Sequence, residues 1–304
     1  MSARIYPLLA LLALGACATA APPVAGAPAC IIPESMQTPG DTRFGALLDL
    51  DAARKAAFVL TLPDCLENPD PAVRDGYAFE MLSAALRGGE IDPGTLRVLR
   101  GGLLARLADA DGDANGFRGP FAALALAEVA RTDRLDTWMS ETERSELIRA
   151  ADTFLAGLTD YRGYSDTEGW RYGVAHTADL LMQLSLNPQL TKPQAEAILA
   201  AITQKVGTSN HAYIFGESER LAAPVMYLAQ KELFSQEDWE AWFTGLWPAE
   251  DPLREVAYSS EAALAKLHNL RAFSEAVYVS AAASHEATYD PVKAGAFALL
   301  NSLP

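Results

Sequence analysis

A chain of 304 residues with 39 acidic against 24 basic side chains carries a formal charge of −15. That balance disfavours nucleic acid and anionic lipid headgroups as direct partners, since Lys and Arg supply the attraction to both. Net charge does not decide the fold, so the fold is read from patterning.

The first element is a leader. Arg4 precedes an apolar run over residues 5–14 that only Pro7 interrupts, shorter than the about 20 residues a spanning helix needs. It reads as the core of a signal peptide. The run ends in Leu14-Gly15-Ala16-Cys17, which resembles the lipobox of bacterial lipoproteins. Residues 1–16 are therefore expected to be cleaved and Cys17 to be acylated, with an ordinary signal peptide cut near Ala20 or Ala21 as the alternative. Ala18 follows the cysteine rather than Asp, so the expected address is periplasm-facing and lipid-anchored at the outer membrane. Residues 17–40 are rich in Ala, Pro and Gly and read as a tether, partly stiffened by proline. With Cys17 acylated, Cys30 and Cys65 remain as an even pair in an oxidising compartment. Pairing them would close a loop worth roughly 3–4 kcal/mol on the chain-entropy model; two free buried thiols are the alternative.

From residue 41 to 304 the pattern predicts one all-α domain of about eleven helices, near residues 51–62, 71–87, 93–108, 120–132, 141–158, 168–186, 192–206, 218–231, 236–246, 260–283 and 291–302. Start signals recur in Asp92 before Pro93, Ser140 with Glu143, Thr191 before Pro193 and Ser235 with Asp238. Gly88-Gly89, Gly157 and Gly207 mark stops. No alternating β-branched run of strand length appears. Many short helices joined by short loops point to a HEAT-like α-solenoid or an α/α toroid.

The stretch Asp109-Ala-Asp111-Gly-Asp113-Ala-Asn115-Gly116 invites a calcium-loop reading. Counting from Asp111, the twelfth position is Ala122, where a bidentate Glu should close the site. Counting from Asp109, the glycine position holds Ala114 and the twelfth Pro120. Both registers fail, and the stretch reads as a turn-rich connection between helices.

The most distinctive segment runs from Asp160-Tyr-Arg162-Gly163 to Gly169-Trp170-Arg171-Tyr172-Gly-Val-Ala175-His176-Thr-Ala-Asp179-Leu180-Leu181. With Glu217-Ser-Glu219-Arg220-Leu221-Ala222 and Asn269-Leu270-Arg271-Ala272-Phe273, it strongly resembles the bacterial DUF2785 family, from about residue 109 to the end. The resemblance implies a helical domain and brings no established activity. Where the family usually places a first histidine, four residues before a second, this chain has Tyr172, so a metal-chelating pair at i and i+4 is reduced to His176 alone.

At about 100° per residue, Tyr172, His176, Asp179 and Gln183 share one stripe of a helix, with Trp170 on roughly the opposite side as a core anchor. Two readings compete. One is a pocket in which His176 acts as base or ligand, Asp179 orients it and Arg162 or Arg220 meets an anionic substrate. The other, favoured here, is a polar seam in which Asp179 pairs with Arg162 or Arg220 and His176 is one hydrogen-bonded member, with Glu219 among the candidate residues. In such a seam, loss of Asp179 would cost more than loss of His176.

No phosphate loop, dinucleotide fingerprint, serine-hydrolase elbow or zinc-protease motif is present, so no cofactor and no metal are expected. The leading expectation is a non-catalytic, membrane-anchored envelope lipoprotein whose helical array binds another envelope protein or a cell-wall glycan. The alternative is a polysaccharide lyase or hydrolase using Tyr172 and His176 with Arg171 or Arg220.

Overall fold

A computed structural model describes residues 30–304. The leader and Cys17 lie outside the described residues. The described residues are all-α, with twelve helices and one two-stranded hairpin. Helix α1 is Asp41–Leu48 and α2 Ala52–Val59. Helix α3 covers residues 71–87, with a π-helical stretch at Arg74–Phe79 between its α-helical ends. There follow α4 Pro93–Ala108, α5 Arg118–Leu135, α6 Glu141–Gly157, α7 Gly173–Ser185 and α8 Lys192–Val206. The last are α9 Glu217–Ala229, α10 Gln236–Gly245, α11 Glu261–Ser284 and α12 Asp290–Ser302.

Helix α1 is the one the pattern reading misses. Its eight residues contain Gly45 and bury only Arg43 and Leu47, too few apolar positions to show a period. The other boundaries follow local chemistry. The Asp92 carboxylate accepts from the backbone of Gly94 at 2.9 Å and Thr95 at 3.1 Å, and Pro93 has no N–H to leave unsatisfied. Ser140 and Glu143 form a reciprocal capping box at 3.2 and 2.7 Å. Glu143 also takes a hydrogen bond from Arg97, which with the box holds its carboxyl down at about 2.

The helices alternate between two layers. Helices α5, α7, α9 and α11 pack in succession in one layer, and α6 packs along α8 in the other. Helix α5 is the centre: it buries residues around its whole circumference, from Gly119 and Phe121 to Val129 and Asp133, as a helix covered on all sides must. Helices α10 and α12 close one end. Among the described residues the first helices do not pack extensively on the last ones, so the array is open like a solenoid rather than closed like a toroid. No described helix is long and apolar enough to cross a membrane. Cys30 and Cys65 are joined as a disulfide, which ties the segment before α1 to the turn after α2, and Met36 of that segment is buried in the core rather than part of a free tether.

The acidic loop has a structural job. Asp113 accepts backbone N–H groups of Asn115, Phe117 and Arg118 at 2.8, 2.7 and 2.9 Å. It satisfies donors that the start of α5 would otherwise leave orphaned. Asp109 pairs with Arg118 at 2.6 Å.

Candidate functional site

The signature segment folds as a hairpin followed by a helix, not as the single helix expected over residues 168–186. Strand β1, Tyr164–Ser165, pairs antiparallel with β2, Gly169–Trp170, so that Tyr164 faces Trp170. Helix α7 begins only at Gly173. Tyr172 precedes it with φ 58° and ψ 42°, a left-handed conformation that is unfavourable for a bulky residue. Residue 172 is thus the cap before the helix and not a residue within it, although its ring still lies against that of His176, with centroids at 5.8 Å. Trp170 is not a core anchor opposite His176. It lies on the hairpin, 37% exposed, beside Tyr164 at 49%.

Several contacts hold the strained turn. The Tyr172 hydroxyl donates to the Phe215 carbonyl, and its backbone N–H donates to the Arg162 carbonyl at 3.2 Å. The Phe215 N–H in turn donates to Glu217 at 2.9 Å, so the fully covered Glu217 carboxylate ties down the turn that opens α9. Gly163 lets Phe215 in: a Cβ there would stand 2.1 Å from the ring. Asn269, from the third motif, holds the same loop through Thr208, His211 and Tyr213 at 2.8–3.0 Å.

Behind the hairpin, His176 is only 6% exposed. Its ring stands edge-on between Phe121 and Tyr172, with centroids at 5.2 and 5.8 Å, and its Nδ1 has no hydrogen-bond partner. Burial, followed by the positive charges of Arg220 and Arg74, pushes the imidazole down to about 3, against a hydrogen bond with the Pro120 backbone that favours the proton. It is a neutral, packed ring at every physiological pH. Asp179 pairs with Arg220, not with Arg162. Burial raises its carboxyl above the ordinary range despite that partner. Gln183 accepts from Arg134 at 3.1 Å. Glu219 is exposed and makes no side-chain hydrogen bond or ion pair among the described residues. Arg162 pairs with Asp160 at 2.5 Å and donates to the Asn115 carbonyl at 3.2 Å.

Arg74 is the participant that the sequence does not reveal. It comes from the π-helical stretch of α3, is fully buried, and lies over Phe117 at 3.9 Å and Phe121 at 4.9 Å. It donates to the Glu168 carbonyl at 2.6 Å, bridging 94 residues to hold the hairpin. Arg171 covers the same Phe117 ring at 4.4 Å and donates to Asn115 at 2.7 Å. Two guanidiniums around one ring form a cation–π stack that roots the hairpin in α5. Arg171 was within reach of the sequence because it sits inside the motif; nothing marks Arg74.

A cleft of about 710 Å³ lies elsewhere, between the C-terminal halves of α4 and α6. Of the expected site residues only Arg162 lines it, together with its partner Asp160. Pro120 and Leu158 separate this cleft from the packed side, where both approach the backbone of Gly173. Among the described residues no group of three or more His, Cys, Asp or Glu is arranged to hold a metal ion.

No curated protein and no solved structure matches the chain. Residues 103–279 match a family model described as protein of unknown function, DUF2785, which covers α5 to α10 whole, with the hairpin, the packed stripe and the loop that Asn269 holds. The chain belongs to the DUF2785 family.

Proposed function

We propose that this chain is a cell-envelope lipoprotein whose helical array is a non-catalytic binding domain, with cell-wall glycan as its partner. The observation that carries the reading is the state of the stripe. His176 is neutral and enclosed by rings, the Tyr172 hydroxyl is committed to a backbone carbonyl, and Asp179 is committed to Arg220. A glycan-cleaving site would need those groups free and hydrated enough to exchange protons with a substrate.

What the hairpin offers outward is flat aromatic surface. Tyr164 and Trp170 stand 5.1 Å apart, both exposed, with Trp170 tilted against Tyr172 at 4.6 Å and Phe215 edge-on at 5.9 Å. Planar rings with polar edges suit the C–H faces and hydroxyls of sugars, and exposed aromatics on a rigid base mark binding surfaces. The Cys30–Cys65 disulfide and the lipobox-like Leu14–Cys17 stretch support an exported, oxidising location.

Co-sedimentation with purified cell-wall sacculi tests the partner. The chain should pellet with sacculi, the double variant Tyr164→Ala, Trp170→Ala should remain in solution, and no sugar fragments should be released. Equal sedimentation of the variant, or release of fragments that stops in His176→Ala, would overturn the reading. For the address, Cys17→Ser should abolish palmitate labelling and release the chain from the membrane fraction.

A further inference from the structure

The gap between α4 and α6 has a definite cause. These helices lie side by side and are cross-tied at their N-terminal halves. Arg97 bonds Glu143 at 2.8 Å and the Trp138 carbonyl at 2.6 Å; Arg100 bonds Glu146 at 2.5 Å and the Glu143 carbonyl at 2.8 Å. Beyond Arg100 and Glu146 no hydrogen bond or ion pair links the two helices among the described residues, and the space opens toward Ala108 and Gly157. In the same layer, α6 and α8 pack along each other. The space is lined by small residues, Ala108, Ala110, Ala114 and Ala150 among them, and at Gly157 a Cβ would meet nothing within 4 Å. Leu104, Leu107, Phe154 and Leu158 make its walls apolar. A volume of about 710 Å³ falls inside the range of about 300–1,000 Å³ typical of small-molecule sites.

The mouth sorts its charges. Glu146 is bound to Arg100, Asp113 to the backbone at the start of α5, and Asp160 to Arg162. Two lining charges remain without a side-chain partner among the described residues: Arg149 on α6 and Asp111 on the loop after α4. One cation and one anion, on different walls of an apolar cleft, complement a ligand that carries both signs beside an apolar body. A fatty acid would leave Asp111 facing its carboxylate, and an alkylamine would face Arg149.

We propose that this cleft binds a single-chain amphiphile with a zwitterionic headgroup. The chain lies along Leu104, Leu107 and Phe154, the anionic group of the head meets Arg149 and the ammonium meets Asp111. This site is independent of the aromatic hairpin and of the glycan reading.

The test uses the full chain carrying Cys17→Ser, so that no detergent is needed, titrated calorimetrically below micelle formation. Lysophosphatidylethanolamine is the probe, compared with the fatty acid, the alkylamine and the monoacylglycerol of equal chain length. The zwitterion should bind at least tenfold tighter than each of the other three. Arg149→Ala should weaken it at least tenfold, and Asp111→Ala should remove its advantage over the fatty acid. Ala150→Trp, which fills the cleft, should abolish binding while the melting temperature holds. Failure of the zwitterion to bind, equal affinity for all four probes, or binding that survives Ala150→Trp would each overturn the proposal. None of these results bears on sedimentation with sacculi, so the two proposals stand or fall separately.

Discussion

Two regions that back onto each other across Pro120 and Leu158 have opposite characters. On one side, beneath the hairpin, nearly every polar group is spent inside the molecule. Arg74 serves four backbone or side-chain acceptors, Tyr172 serves Phe215, and Asp179 serves Arg220. On the other side, between α4 and α6, apolar walls stay open and two lining charges keep no side-chain partner among the described residues. One short stretch of sequence feeds both, with Asp160 and Arg162 bordering the cleft and Tyr172, His176 and Asp179 in the filled region. Residues that stand together in a motif need not act at one site. What separates them is the hairpin, which reverses the chain between residues 163 and 171.

The contrast can be broken most forcefully at His176. Truncation to Ala removes a ring packed between Phe121 and Tyr172, and by analogy with other buried large-to-small changes should cost about 2–4 kcal/mol. Urea unfolding of the variant checks it; an unchanged midpoint would mean that the ring is not part of the core.

Two glycines sharpen the comparison. Gly163→Ala drives a methyl into the Phe215 ring and should destabilise by about 1–3 kcal/mol. Gly157→Ala adds the same methyl where nothing stands within 4 Å. It should be neutral or stabilise by up to about 1 kcal/mol by restricting the unfolded chain. Thermal melts of the pair, side by side, decide whether one side is full and the other open.

The packed imidazole also predicts an acid response. Its proton affinity in the fold is depressed to about 3, from about 6.5 when unfolded. Between those values the unfolded chain binds the extra proton, so stability is whole above pH 6.5 and falls as pH drops toward 3. The slope from this one group is up to about 1.4 kcal/mol per pH unit. His176→Phe should flatten the decline, measured as unfolding free energy from pH 7 to 4.

The smallest effect belongs to Asp179, reversing the order expected for a seam read from the helical wheel. Arg220 is 45% exposed at its side chain while Asp179 is 14%, so removing the carboxylate leaves a cation that water can still reach. Asp179→Ala should cost no more than about 1 kcal/mol, and releasing a carboxylate whose burial already disfavours its charge works in the same direction. A loss as large as that at His176 would show that Arg220 is trapped.

The helical class and most boundaries were legible because caps and stops are local. Ser140–Glu143, Asp92–Pro93 and Ser235–Asp238 act within one turn. The family was legible in the same local way, through its motif. The hairpin was not, since its two-residue strands are too short for an alternating pattern. The wheel carried Trp170 and Tyr172 into a helix that starts after both. Nor could the sequence show that Arg74 completes the region, because its contacts span up to 94 positions and no spacing marks them. The cleft was equally hidden. It arises where cross-ties between α4 and α6 stop, a property of two helices compared with each other rather than of either alone.

The central claim, that the signature stripe is packed structure and not a reactive pocket, is tested most directly by the titration of His176 itself. Imidazole resonances can be followed by NMR from pH 8 to 4, with His176 identified by its absence in His176→Phe. The His176 ring should stay neutral throughout that range. A His176 midpoint near 6.5 would contradict it, placing a solvent-reachable imidazole beside Tyr172 and Asp179 and returning the stripe to catalysis.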